Sequence, residues 1–111
     1  MKNKYLRKAI VRFKDEIAGI LEEIETGFKF TYDKNFMRKN IAISSSLPIQ
    51  EKPYESNHLF SFFLGLLPEG WYLKIVCKTL KIDENDFFGI LVATCKDTIG
   101  AISIEEIKEN E

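Results

Sequence analysis

The sequence predicts an α+β fold: a small antiparallel β-meander or barrel-like sheet, then about three helices and a closing strand. Apolar and polar residues alternate early in the chain, with the period of half-buried strands. In the second half apolar residues recur at helical spacing. A short segment, "GAISI", then follows the last helix pattern and reads as a closing strand.

The elements follow in order. "KAIVRFK" sets Ile10, Arg12 and Lys14 against Val11 and Phe13, as in a strand. After a polar corner at Lys14-Asp15-Glu16, "IAGILEEIE" reads as a second strand. Thr26-Gly27 marks a turn, and "FKFTYD" places Phe28, Phe30 and Tyr32 on one face and Lys29, Thr31 and Asp33 on the other. "IAISSSLPI" is expected to be a short fourth strand ended by Pro48. Residues 49–58, polar and carrying Pro53, read as a surface connection. Ser56 or Asn57 then caps a first helix running to about Leu67. Pro68-Glu69-Gly70 turns the chain, and a second helix runs from about Trp71 to Leu80. Asp83 or Asn85 caps a third helix to about Thr94, with Asp86 favouring its amide-rich end. Gly100 eases the chain into the closing strand.

The chain has 111 residues, enough for one domain spanning 1–111, with 45% apolar and 30% charged residues. A domain of this length buries roughly two-thirds of its extended surface, so no disulfide or metal is needed to hold it. The net charge of −1 gives no reason to expect nucleic acid or an anionic membrane as partner. Lys2, Lys4, Arg7, Lys8, Arg12 and Lys14 form a basic arm, and Glu105, Glu106, Glu109 and Glu111 with Lys108 an acidic tail; both are expected to be solvated ends. The basic arm alternates with apolar residues in a strand and is not clustered on a recognition helix, so direct DNA binding is not expected. Cys77 and Cys95 lie inside apolar helical patterns, without the spacing of a metal knuckle or redox pair, and are expected to be buried free thiols. Neither a signal-peptide pattern nor a membrane-length apolar run occurs, and a cytoplasmic location is expected.

Catalytic patterns fail at the residues that matter. "GLLPEG" has the glycine spacing of half a phosphate-binding loop, but Trp71 and Tyr72 stand where Lys and Ser/Thr are required. "DFFG", Asp86 to Gly89, has one residue more than a kinase metal loop, and no accompanying kinase motif occurs. His58 is the only histidine and has no partner at ligand spacing. Ser44-Ser45-Ser46 lacks a nucleophile elbow, and the adjacent Glu22 and Glu23 face opposite sides of a strand. The chain is therefore expected to be neither an enzyme nor a holder of metal or cofactor. In the second helix Tyr72, Leu73, Val76, Cys77 and Leu80 form an expected core stripe, and Lys74, Lys78 and Lys81 face away, solvated or against an acidic partner. Trp71, just ahead of that stripe at an open glycine turn, suits either core packing or an interface anchor.

Three blocks, "ISSSLPI" (Ile43 to Ile49), "FFLGLLPEGW" (Phe62 to Trp71) and "DFFGILVATCKDTIGAISI" (Asp86 to Ile104), resemble in content and order the signature blocks of the N-terminal domain of HipA-type serine/threonine kinases. Cys95-Lys96 stands where that family usually has a glycine. Because the chain stops at Glu111, it is similar to HipS proteins, the stand-alone form of this domain in tripartite HipB–HipS–HipT toxin–antitoxin systems. The resemblance implies an antitoxin that binds and inhibits a HipT-type kinase toxin, with a HipB-like DNA-binding protein joining through the complex. It also implies that Trp71, flanked by Pro68, Glu69, Gly70, Tyr72 and Lys74, is the partner-binding site, Trp71 entering the kinase active site. The alternative it leaves is a non-inhibitory scaffold that strengthens the kinase–HipB complex and operon repression.

Overall fold

The computed structural model describes residues 6–96 and 101–108. The expectations for Lys2, Lys4, Gly100, Glu109 and Glu111 lie outside those residues. In chain order the elements are β1 (Lys8–Phe13), β2 (Glu16–Ile24), β3 (Gly27–Tyr32), α1 (Lys34–Met37), β4 (Tyr54–Ser56), α2 (Ser61–Leu64), α3 (Gly70–Leu80), α4 (Phe87–Thr94) and β5 (Ile102–Ile107). The strands form one antiparallel sheet in the order β4-β3-β2-β1-β5, so the closing strand returns to pair with the first.

The meander forms as its alternation predicts. Lys14 and Asp15 both take positive φ, 51° and 72°, matching the tight primed turns that join twisted strands. The register slips between Val11 and Arg12: Val11 faces Gly19 and Arg12 faces Ile17. Ala18 is the extra residue of this bulge, which turns it into the core and leaves Ile17 exposed. Glu22 pairs in register with Lys8 and Lys29, whereas Glu23 binds Arg7, so the adjacent glutamates do diverge.

The core lies on one face of the sheet. Val11, Leu21, Phe30 and Ile104 are fully buried there beneath Phe63, Phe88 and Leu91 of the helical layer. Phe30 and Phe63 meet with ring centroids 5.7 Å apart. In α4 Phe88, Gly89, Ile90 and Leu91 are all buried, as expected for a helix that is apolar around its circumference. Cys77 and Cys95 are free, buried thiols.

Four expectations are corrected. Residues 41–49 form no strand. The Tyr32 hydroxyl donates to the Leu47 carbonyl and accepts from the Ile43 amide at 3.1 Å, gathering the segment into a loop. The Ser44 hydroxyl takes the Ser46 amide at 3.1 Å, and such local side-chain bonds compete with a ladder. The fourth strand is instead β4, inside the stretch expected to be a plain connection, where Ser56 pairs with Phe28. With Ser56 in that strand, the first helix shrinks to the single turn of α2; its N-cap is Phe60, and the Ser56 hydroxyl takes the His58 amide. Asp86 itself caps α4, its carboxylate accepting from the Gly89 amide at 3.1 Å.

The basic arm is also not simply solvated. Arg7 is bound by Glu23 and Asp86, and Arg12 Nη1 lies 2.8 Å from Glu105 Oε1. Arg7 further lies over the Phe88 ring, 5.0 Å from its centroid.

Candidate partner-binding site

The site is built at the start of α3. Pro68 stops the chain after α2, because it cannot donate the amide a continuing helix needs. Glu69 is extended, φ −124° and ψ 160°, and its carbonyl accepts from the Leu73 amide at 3.3 Å. Its side chain caps nothing and stays in solvent. Gly70 then takes φ +61°, and a Cβ placed there would meet nothing within 4 Å. The glycine is thus required by backbone conformation alone, and its neighbourhood is open.

That corner delivers Trp71 outward: its side chain is 73% exposed. Tyr72 is 55% exposed and meets Trp71 edge to face, with centroids 6.3 Å apart and planes at 75°. Core packing of Trp71 is excluded by this exposure. Pro68 is half-buried and Lys74 exposed, and the six residues expected to form the site run from the end of the α2–α3 connection through the first turn of α3.

The expected core stripe of α3 is narrower than the sequence suggests. Of its eleven residues only Cys77 is buried. Leu73 and Val76 are half-buried, while Tyr72 and Leu80 are exposed. Cys77 lies outside the main core cluster. The helix touches the body along one thin strip and turns the rest outward. Lys81 closes it in the left-handed conformation, φ 59°, with the Ile82 amide donating to the Cys77 carbonyl at 2.9 Å.

Sequence reasoning missed Ile75, which is 47% exposed. Its spacing was the available signal: it lies four residues after Trp71, on the side opposite Leu73, Val76 and Cys77. Among the described residues no group of His, Cys, Asp and Glu is arranged to hold a metal ion, and no helix is long and apolar enough to cross a membrane.

A family model described as "HipA N-terminal domain" matches residues 9–105. A protein of Haemophilus influenzae (strain ATCC 51907 / DSM 11121 / KW20 / Rd), described as an uncharacterized protein, is 36% identical over 94 residues, covering 85% of this chain and 87% of that protein. A solved structure described as the N-terminal domain of HipA toxin is similar with a TM-score of 0.74 and 31% identity, covering 99% of this chain and 100% of that one.

Proposed function

The chain belongs to the HipA N-terminal domain family, and from that premise we propose that it is an antitoxin: it binds a HipT-type Ser/Thr kinase toxin and inhibits it by inserting Trp71 at the active site. The carrying observation is that the chain's only tryptophan stands 73% exposed at the head of α3. A large apolar side chain held in water by a rigid backbone corner gains free energy when a partner covers it. Tryptophan is also over-represented among residues that dominate interfaces.

The mechanism is steric. Pro68, Glu69 and Gly70 fix where α3 begins, and the sheet and α4 fold around a core that does not include Trp71. The indole can fill a cleft without unfolding its own domain. No catalytic step, metal or cofactor is required of this chain. A HipB-like DNA-binding protein would join through the kinase, and a cytoplasmic setting follows from that partnership.

The test is growth rescue. A HipT-type kinase is expressed alone, with this chain, or with the Trp71→Ala variant, and complexes are co-purified in parallel. Growth with wild type and arrest with a folded Trp71→Ala chain is the expected result. Co-purification with the kinase but rescue by neither chain would instead make the protein a scaffold.

A further inference from the structure

The outward face of α3 extends beyond Trp71. Trp71, Ile75 and Lys78 fall at i, i+4 and i+7 and so lie in one line along the helix, with Tyr72 on one flank and Lys74 on the other. All five side chains are exposed. The line begins apolar and ends cationic. Lys74 and Lys78 form no ion pair among the described residues. Eleven residues make a helix about 16 Å long. A helix of that length is marginal in water and is held by the burial of its faces, yet this one buries only Cys77.

We propose that α3 docks lengthwise on a protein partner, laying Trp71 and Ile75 into an apolar groove whose rim carries carboxylates that meet Lys74 and Lys78. The inference rests on the kinase-binding reading and deepens it: the contact is a whole helix face, of which Trp71 is one end. Charge placement selects a protein over a phosphate polymer or lipid surface. Glu69 stands just before the helix, and Asp83 and Glu84 share a shallow groove with Lys74 and Lys78. A continuous run of phosphates would have to pass these carboxylates. Single carboxylates on a folded surface can instead meet each lysine tip separately.

The test measures affinity of the full chain for a purified HipT-type kinase by titration calorimetry at low and high salt, for wild type, Trp71→Ala, Ile75→Ser and Lys78→Glu. Ile75→Ser is expected to weaken binding about 10-fold. Lys78→Glu is expected to weaken it about 10-fold at low salt and to flatten the salt dependence. Circular dichroism should match wild type for both, because both positions are exposed. The melting temperature should match for Ile75→Ser and fall slightly for Lys78→Glu, which sets a carboxylate in the last turn of α3 beside Asp83 and Glu84. If only Trp71→Ala weakens binding, the lengthwise docking is overturned and the tryptophan-plug reading stands. If wild type does not bind the kinase, both fall. If a DNA duplex binds in the same assay and Lys78→Glu abolishes that binding, the lysine row serves nucleic acid and the proposal is overturned.

Discussion

Arg7 and Asp86, 79 residues apart in the chain, meet with Arg7 Nη2 2.7 Å from Asp86 Oδ1. The same guanidinium holds Glu23 through Nε and Nη2, each at 2.8 Å. Asp86 also takes the Gly89 amide as the cap of α4. One half-buried carboxylate therefore ties the meander to the start of the buried helix. Asp86→Ala removes both roles and is expected to cost about 1–2 kcal/mol, read as a lower urea midpoint. Asp86→Asn keeps a capping oxygen and should cost less.

The pH dependence of that tie follows from its charge. The hydrogen bond from Arg7 is the main cause holding the Asp86 pKa below the ordinary carboxyl value, against the opposing effect of burial. A depressed folded pKa contributes stability above the unfolded value, about 4, and that contribution is lost as pH falls through the folded value. Urea titrations below about pH 4 should show wild type losing this contribution and Asp86→Asn lacking it.

Gly89 makes the tightness of this joint measurable. Replacing glycine by alanine inside a helix normally gains about 0.5–1 kcal/mol. Here the new Cβ would collide with the Asp86 carboxylate and sit 3.2 Å from Arg7 Nη1. Asp86 is short and held by two partners, so it cannot swing aside cheaply. Gly89→Ala is expected to destabilise, and to turn neutral or stabilising in an Asp86→Ala background. A double-mutant cycle measures the difference.

The parts of the fold legible in the sequence are those set by local pattern. Alternation placed β1 and β3, the polar corner Lys14-Asp15-Glu16 placed the start of β2, and Pro68-Glu69-Gly70 placed the start of α3. The misread parts depend on partners far along the chain. Nothing in "IAISSSLPI" announces that Tyr32 will bind both Ile43 and Leu47 and keep the segment from pairing. Helical spacing also shows which residues share a face, but not how much of that face a neighbour covers. Tyr72 and Leu80 share a face with Cys77, yet only Cys77 is buried. Trp71 was legible as a residue in a special place; its exposure needed the positive φ of Gly70 and the thin strip on which α3 rests.

Tyr32→Phe tests the loop assignment. The substitution keeps the ring that packs against Phe30 at 4.9 Å between centroids but deletes the hydroxyl. The buried Ile43 amide and Leu47 carbonyl both lose their phenol partner. The expected cost is about 1–3 kcal/mol. Hydrogen exchange should also quicken at Ile43 while staying slow in the β1–β2 pairing. Unchanged exchange at Ile43 would mean the loop is held by something other than Tyr32.

Gly70 and Trp71 are adjacent but should fail in opposite ways. Trp71→Ala removes an exposed ring and should move stability by no more than about 0.5 kcal/mol. Losing a central tryptophan anchor should weaken kinase binding by about 2–4 kcal/mol, or roughly 30- to 1000-fold. Gly70→Ala leaves the indole in place but forces an L side chain into the left-handed region, at about 1–2 kcal/mol. No atom crowds the new methyl group, so that cost is purely conformational. Gly70→Asn, which tolerates positive φ better, should recover part of it. The chain relieves the strain by letting φ of residue 70 relax, and this re-aims the first turn of α3. Gly70→Ala should therefore lower both the melting temperature and kinase affinity, whereas Trp71→Ala lowers affinity alone. If the two variants instead lost stability together and affinity together, the indole would be supporting its own helix, and the corner would be a folding device with no separate role in aiming Trp71 at a partner.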